Sequence, residues 1–211
     1  MSGVMLRLIS VIALLLFSTP AALSKPVTLL VLGDSLSSGL GLSPQEAFPA
    51  KLEQALKLRY PDIRIINAGV SGDTAADGLA RLEWALTDDV GGLIVELGAN
   101  DALRGLDVGQ MERALNGIMA AAAAKKLPTL ILGMKAPPNM GPDYVARFDG
   151  LYPQLAEKYR VLLYPFFLDG VAANAGLNQG DGIHPNARGV DLIVSKIIPS
   201  VEELIGKVLV K

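Results

Sequence analysis

The sequence predicts a three-layer α/β/α sandwich around a five-stranded parallel sheet, and three observations lead to this prediction. The chain has 211 residues, which is enough for one well-buried domain and too few for two ordinary ones. Hydrophobic residues make up 51% of the chain and charged residues 19%, a balance typical of a globular core and not of a disordered chain. Short apolar runs also alternate with amphipathic stretches, as in sheets whose strands are joined by helices.

Five apolar runs rich in Val, Ile and Leu are predicted to be buried strands. In chain order they span residues 27–32, 63–67, 93–97, 129–134 and 161–164. Helices are predicted between them and after the last one, over residues 49–59, 74–87, 108–125, 143–159 and 186–207. Because crossovers between parallel strands are right-handed and must cover apolar strand surface, the helices are expected on both faces of the sheet. Ligands of such sheets bind at the carboxyl ends of the strands.

The segment 135–143 interrupts this alternation with three prolines and a glycine. Its composition predicts neither helix nor strand. Because it follows the fourth strand, it is either a stiff connection or a wall of a substrate pocket, and loops at this edge often serve as both.

The first 24 residues are predicted to be a secretory signal peptide. Arg7 precedes an apolar run over 8–17, which is followed by Pro20 and the small-residue stretch 21–24. The run is about ten residues long, whereas a membrane span needs roughly 20, so the alternative of a transmembrane anchor is disfavoured. We expect cleavage after Ser24, a mature domain over residues 25–211, and a periplasmic or secreted protein without a stable membrane anchor.

Charge and residue counts exclude several classes of partner and cofactor. The formal net charge is −2, and it becomes −3 once the segment with Arg7 is removed. No basic cluster is present to bind a phosphate backbone, so nucleic acid is not an expected partner. The chain has one histidine and no cysteine, which leaves a poor ligand set for zinc and excludes a lipidated amino-terminal cysteine. We expect no metal and no cofactor, and a monomer or small homo-oligomer.

The end of the first predicted strand offers a candidate nucleophile. It reads Gly-Asp-Ser-Leu over residues 33–36, so Ser35 follows a tight glycine turn at the carboxyl edge of the sheet. Its backbone N–H is then available to an oxyanion. Taken alone, the pattern also fits an ordinary turn or a helix N-cap.

The single histidine offers a candidate base. A serine needs a base that is active near neutral pH, and His184 is the only imidazole in the chain. Asp181 precedes it by three residues on a glycine-containing turn, a spacing that allows the carboxylate to orient one ring nitrogen while the other faces the serine. Ser35, Asp181 and His184 are therefore a candidate acyl-transfer triad, although an incidental histidine beside a helix N-cap fits the spacing equally well.

Two further turns at the same edge offer candidate oxyanion donors. Gly72 follows the second strand and Asn100 the third. A glycine N–H and an asparagine amide are donors without negative charge, which suits them to an oxyanion. Each residue taken alone also fits a role in starting the helix or turn that follows it.

Four blocks in this order resemble the signature blocks of the SGNH/GDSL hydrolases. They are Gly-Asp-Ser-Leu at 33–36, Ser-Gly-Asp-Thr at 71–74, Gly-Ala-Asn-Asp at 98–101 and Asp-Gly-Ile-His-Pro-Asn at 181–186. The resemblance covers nearly all of the mature chain and is closest to the bacterial periplasmic acyl-CoA thioesterase I, lysophospholipase and arylesterase group. It implies the flavodoxin-like fold of that family, with Ser35 as nucleophile, His184 as general base and Asp181 as orienting acid. It also implies an oxyanion hole made of the Ser35 N–H, the Gly72 N–H and the Asn100 side chain.

This resemblance implies a serine esterase that hydrolyses carboxylic esters or thioesters, such as aryl esters, acyl thioesters or lysophospholipids. Two departures bear on the substrate and not on the chemistry: Ala99 stands where relatives often carry a second glycine, and segment 135–143 is closer to arylesterase-like members. Two alternatives stay open. One is an O-acetyl esterase that acts on cell-envelope polysaccharide, and the other is an exported binding module without turnover.

Overall fold

The computed structural model of this chain describes residues 26–211. The predicted signal peptide, residues 1–24, lies outside the described residues. Among the described residues, no helix combines the length and apolarity needed to cross a bilayer.

Five parallel strands form the central sheet, in the order β2-β1-β3-β4-β5. This is the order of flavodoxin-like folds. The strands are β1 (Thr28–Gly33), β2 (Arg64–Gly69), β3 (Gly92–Glu96), β4 (Thr129–Leu132) and β5 (Leu162–Tyr164). β1, β3 and β4 are buried along their whole length, which explains why their sequences are continuous apolar runs without alternation.

Seven helices follow or join the strands within the described part of the chain. They are α1 (Ser35–Ser38), α2 (Phe48–Leu56), α3 (Ala75–Ala85), α4 (Ala99–Leu103), α5 (Val108–Ala124), α6 (Pro142–Tyr159) and α7 (Ala187–Leu209). α2 packs against α7, while α3 packs against α5 and α5 against α6. With right-handed crossovers this places α2 and α7 on one face of the sheet and α3, α5 and α6 on the other.

Local signals explain where the longer helices begin. Thr74 and Asp77 form a capping box at the start of α3, in which each side chain accepts a hydrogen bond from the backbone of the other residue. Asp107 caps α5 and Asn186 caps α7 through the same kind of side-chain acceptor. α6 begins at Pro142, a position where the missing N–H of proline is harmless.

The structure confirms the predicted three-layer α/β/α architecture, its five-stranded parallel sheet and the five long helices, with ends displaced by one to a few residues. Two short helices, α1 and α4, lie at the carboxyl edge where the sequence indicated only turns. The segment 135–143 contains one turn of 3₁₀ helix at Pro138–Met140, and α6 begins inside its last residues. A single 3₁₀ turn forms there because proline fixes φ but cannot continue a regular helix.

Candidate active site

Ser35 lies on a tight turn between β1 and α1. Asp34 caps α1, because its Oδ1 accepts a hydrogen bond at 2.9 Å from the backbone N–H two residues further on. Position 33 has no room for a side chain, because a Cβ there would collide with Ser37 Oγ and Glu96 Oε2. The turn therefore places the Ser35 hydroxyl at the carboxyl edge of the sheet, where Ser35 is 8% exposed.

The loop before α7 folds Asp181 back onto His184. Asp181 Oδ1 accepts hydrogen bonds from the backbone N–H groups of Ile183 at 2.9 Å and His184 at 3.0 Å. Gly182, at the centre of this turn, has φ of 72°, a left-handed conformation that glycine adopts without strain. The hydrogen bond from the His184 backbone, followed by that from Ile183, lowers the pKa of Asp181 to about 2. Asp181 is therefore ionised at any ordinary pH.

The three residues predicted as a triad form one hydrogen-bonded chain. His184 Nδ1 lies 2.7 Å from Asp181 Oδ2, and His184 Nε2 lies 2.9 Å from Ser35 Oγ. Both distances are those of direct hydrogen bonds suited to proton transfer. An ionised Asp181 favours the tautomer with its proton on Nδ1, which leaves the Nε2 lone pair facing the serine hydroxyl.

Two of the three predicted oxyanion donors have a free backbone N–H. Within residues 26–211, no protein acceptor takes the N–H of Ser35 or of Gly72. Gly72 has φ of 92°, and its carbonyl oxygen accepts a hydrogen bond from Arg104 Nη2 at 2.6 Å. This contact holds the peptide unit between residues 72 and 73, next to the one that carries the Gly72 N–H.

The third predicted donor, Asn100, is already hydrogen-bonded within the protein. Its Nδ2 donates to Asp34 Oδ2 at 3.0 Å and to the Asp73 carbonyl oxygen at 3.0 Å. These bonds hold the amide between the Ser35 turn and the turn after β2. To serve an oxyanion, Asn100 must share or exchange one of these hydrogen bonds when substrate binds.

A cavity of about 550 Å³ opens beside this hydrogen-bonded chain. Ser35, Asn100 and His184 contribute its polar side, whereas Gly72 and Asp181 are not among the residues that line it. The remaining lining is mostly apolar and comes from α1, α4, α6, the segments that follow β4 and β5, and the loop before α7. Leu103, Met134, Val145, Phe166 and Leu168 are among its members. Residues 135–138 form one wall, so the proline-rich segment lies against the site as well as connecting two elements.

Sequence reasoning missed two buried carboxyl groups next to Ser35. Asp34 appears in the sequence only as a member of the block at 33–36, and in the structure its two oxygens hold the α1 backbone and Asn100. Glu96 was not singled out, although a lone acidic residue in an apolar parallel strand is itself a signal, since an unpaired buried charge is costly. Burial raises the pKa of Asp34 to about 6, and burial together with the nearby Asp34 raises the pKa of Glu96 well above its usual value.

Three further hydrogen bonds link the turns of the site to one another. Arg81 donates from Nε to Asp73 Oδ2 at 2.6 Å and from Nη2 to the Gly33 carbonyl oxygen at 2.9 Å. Asp101 accepts the Ala75 N–H at 2.9 Å and so fixes the start of α3. These contacts hold the blocks after β1, β2 and β3 in one arrangement.

Within 26–211, no group of three or more His, Cys, Asp or Glu side chains is arranged to hold a metal ion.

Comparison with known proteins gives a match to one family and to several named relatives. The sequence model of the GDSL-like Lipase/Acylhydrolase family matches residues 31–192. The chain is 35% identical to a protein of Vibrio mimicus named Arylesterase, over 98% of this chain and 99% of that protein. It is 37% identical to the Escherichia coli protein named Thioesterase 1/protease 1/lysophospholipase L1, over 85% of each chain.

Among solved structures, the chain is similar to AlinE4, described as an SGNH-hydrolase family esterase. The two share 47% sequence identity with a TM-score of 0.72, over 85% of this chain and 96% of the other.

Proposed function

The chain belongs to the GDSL-like Lipase/Acylhydrolase family and is a carboxylic ester hydrolase, and we propose that Ser35, His184 and Asp181 perform its reaction through an acyl-enzyme. The single observation that supports these roles best is the chain of two hydrogen bonds, 2.9 Å from His184 Nε2 to Ser35 Oγ and 2.7 Å from His184 Nδ1 to Asp181 Oδ2. A serine, an imidazole and an ionised carboxylate in this order are the groups that nucleophilic acyl transfer needs.

In the first half of the reaction, Ser35 Oγ attacks the carbonyl carbon of the ester as its proton passes to His184 Nε2. The negatively charged Asp181 stabilises the imidazolium that forms. The carbonyl oxygen becomes an oxyanion that accepts hydrogen bonds from the Ser35 N–H, the Gly72 N–H and the Asn100 amide. The bond to the leaving alcohol or thiol then breaks, and this group departs with the proton from His184.

In the second half, His184 takes a proton from a water molecule, whose oxygen attacks the acyl carbon. A second oxyanion collapses, Ser35 Oγ recovers its proton from the imidazolium, and the carboxylic acid is released. Loss of one oxyanion donor typically costs roughly 3–4 kcal/mol of transition-state stabilisation, so the rearranged Asn100 contact is an important part of this scheme.

The substrate that the site suits best is an ester or thioester with an apolar acyl or aryl group. The mostly apolar lining of the cavity of about 550 Å³ supports this proposal, as do the names of the relatives from Vibrio mimicus and Escherichia coli. An acetylated polysaccharide is a less suitable substrate, because a sugar chain needs polar and aromatic partners that this cavity lacks on most of its walls.

The test of the proposed residues is active-site labelling combined with turnover. A fluorophosphonate probe is expected to label the wild-type protein on Ser35, and Ser35→Ala is expected to lose labelling and several orders of magnitude of turnover while its melting temperature stays nearly unchanged. Labelling of Ser35→Ala would show that another residue is the nucleophile, whereas an unlabelled wild-type protein would favour a binding module.

A substrate series on the same preparation tests the substrate class. We expect kcat/KM for p-nitrophenyl esters of medium-chain acids, acyl-CoA or lysophospholipid to exceed that for acetylated oligosaccharide. A preference for the acetylated sugar would overturn the assignment to apolar acyl or aryl esters.

We also propose that the mature domain is exported. The support comes from the sequence, where Arg7, the apolar run 8–17 and the small residues up to Ser24 have the pattern of a cleaved signal peptide. Amino-terminal sequencing of protein recovered from the periplasm or medium of the expressing cell is expected to begin at residue 25. A chain that still begins at residue 1 and stays with the cytoplasmic fraction would contradict export.

A further inference from the structure

Glu96 lies directly beside the start of the Ser35 turn. It is the last residue of β3, and the parallel register pairs it with Gly33, the last residue of β1. Glu96 is 0% exposed, and its Oε2 occupies space that a Cβ at position 33 would need. The glycine and the acidic side chain are thus sterically complementary.

The carboxyl group of Glu96 contacts the turn on both sides of Ser35. Its Oε2 accepts a hydrogen bond from Ser37 Oγ at 2.7 Å and from the Asp34 backbone N–H at 3.3 Å. Both partners are 0% exposed. Helix α1 has four residues, too few to fix its own orientation, so tertiary contacts of this kind determine where Ser35 points.

The other oxygen of Glu96 indicates its charge. Oε1 is fully buried and has no hydrogen-bond partner among the described residues. The buried hydroxyl of Tyr152 does not serve it, because that group donates to the Leu97 carbonyl oxygen at 2.9 Å. A carboxylate with an unpartnered buried oxygen beside a second carboxyl group is strongly unfavourable, so this environment favours the protonated, uncharged form of Glu96.

Asp34 is the member of this pair that holds negative charge. Its Oδ1 and Oδ2 accept from the Leu36 N–H and from Asn100 Nδ2, and hydrogen bonds of this kind stabilise a carboxylate. The pair thus places one charge on the side that orients Asn100.

We propose that Glu96 is a positioning residue that works as an uncharged acid: it holds Asp34 and Ser37 and thereby sets the geometry between Ser35 Oγ and His184 Nε2. The inference rests on the proposed role of Ser35 as nucleophile. A displacement of about 1 Å at a reacting group lowers the rate about 10²-fold, so a residue that never touches substrate affects kcat through the turn.

The test compares Glu96→Ala with Glu96→Gln. Glu96→Ala removes both hydrogen bonds and is expected to lower kcat about 10²-fold with little change in KM. Glu96→Gln has the same shape and no charge, and its carbonyl oxygen accepts the same two hydrogen bonds. It is therefore expected to recover most of the activity that Glu96→Ala loses.

A matched control separates positioning from general stability. Thr129 is 2% exposed in the neighbouring strand β4, and its hydroxyl donates to the Leu127 carbonyl oxygen at 2.9 Å. Thr129→Ala also removes a buried hydrogen bond, but Thr129 is the first residue of β4 and lies at the amino ends of the strands, away from Ser35. It is expected to lower the melting temperature while kcat stays at the wild-type value.

The proton on Glu96 has a readout that does not depend on activity. An infrared difference spectrum of wild type minus Glu96→Gln in D₂O at neutral pH is expected to show the C=O band of a protonated carboxylic acid. A carboxylate band in its place would overturn the uncharged state.

Three kinetic outcomes would overturn the proposal. They are a folded Glu96→Ala with wild-type kcat, a Glu96→Gln as impaired as Glu96→Ala, and a Thr129→Ala with an equal loss of kcat. If Glu96→Ala does not fold, Ser37→Ala serves as the test, because it removes the shorter of the two hydrogen bonds to Glu96. Ser37→Ala is then expected to lower kcat, and an unchanged kcat in this variant would contradict the proposal. Ser35→Ala distinguishes a failure of the Glu96 proposal from a failure of the proposed function. Turnover that survives in Ser35→Ala would show that Ser35 is not the nucleophile, whatever Glu96 does.

Discussion

At the scale of single residues, Asp181 illustrates how one side chain carries two separate tasks. Its Oδ1 accepts from the backbone of Ile183 and His184, and its Oδ2 accepts from His184 Nδ1. The first oxygen builds the turn and the second orients the imidazole. A substitution that keeps one task and removes the other distinguishes them.

Asp181→Asn makes that separation. The asparagine carbonyl oxygen still accepts the two backbone N–H groups, but its NH₂ group faces Nδ1 and favours the tautomer with the proton on Nε2. That tautomer cannot take the Ser35 proton, so kcat is expected to fall about 10⁴-fold. Steady-state kinetics with a short p-nitrophenyl ester measures the loss.

Thermal unfolding of the same variant provides the control. The melting temperature is expected to stay close to the wild-type value, because Asp181 is exposed and its turn keeps its hydrogen bonds. An unfolded or strongly destabilised Asp181→Asn would show that the carboxylate mainly builds the loop, and near-normal kcat would remove it from the triad.

At the scale of secondary structure, helix α3 approaches the sheet closely because it carries Gly78. The glycine is buried, and a Cβ added to it would collide with Leu97 Cδ1. The close approach brings α3 against Leu97, which lies between β3 and the turn that contains Asn100. Packing and site geometry are therefore coupled at this helix.

Gly78→Ala tests the close approach. The extra methyl group forces a shift of α3 or Leu97, and the free energy of unfolding is expected to fall by about 1–3 kcal/mol. Gly150→Ala in α6 is the matched control, since its Cβ would lie 3.5 Å from Gln154 Nε2, an ordinary contact. That variant is expected to gain about 0.5–1 kcal/mol from lower chain entropy in the unfolded state.

Urea denaturation at one pH measures both variants. Equal effects of the two substitutions, in either direction, would show that α3 is not packed as closely as the structure describes.

Helix α6 also forms part of the cavity wall through Val145. Val145→Phe fills space near the acyl group, so kcat/KM for a long-chain ester is expected to fall about tenfold or more while that for an acetyl ester changes little. The matched control is Val161→Phe, which makes the same change in a separate cavity of about 220 Å³ that Val161 lines. If the two variants show the same chain-length profile, the larger cavity is not the acyl site.

The elements themselves were well predicted from the sequence, because burial of a parallel strand and amphipathicity of a helix are properties of consecutive residues. α1 and α4 were not predicted as helices. Each has four or five residues, and so short a helix has no periodic signal of its own. Contacts such as Asp34 with Asn100 stabilise these turns from outside.

At the scale of the whole molecule, buried carboxyl groups determine how stability depends on pH. The pKa of Asp34 rises from 3.8 to about 6 on folding because the group is buried. The folded state therefore binds more protons than the unfolded state between about pH 4 and 6, and stability falls as pH rises through that window. The full effect is up to about 3 kcal/mol for a shift of this size.

The unfolding free energy of the wild-type protein is thus expected to decrease from pH 4 to pH 7, and Asp34→Asn is expected to show a flatter dependence in the same window. Urea titrations at several pH values measure both slopes. Identical slopes for the two proteins would contradict the assignment to Asp34.

Asp181 affects stability at lower pH, because folding lowers its pKa from 3.8 to about 2. Its contribution to the free energy of unfolding is therefore present above about pH 4 and is lost as the pH falls toward about 2.

The sequence by itself determined the fold class, the strand and helix segments, the family resemblance, and the residue types of the candidate site, since each depends on local pattern or on the chemistry of single side chains. The catalytic roles of Ser35, Asp181 and His184 stay a prediction that the labelling experiment tests. Only the tertiary structure decided that Asn100 is already bonded to Asp34 and Asp73, that Glu96 holds the turn on both sides of Ser35, and that the apolar walls form one cavity. These contacts join segments as much as 66 residues apart. They depend on strand register and close packing, which no short stretch of sequence specifies.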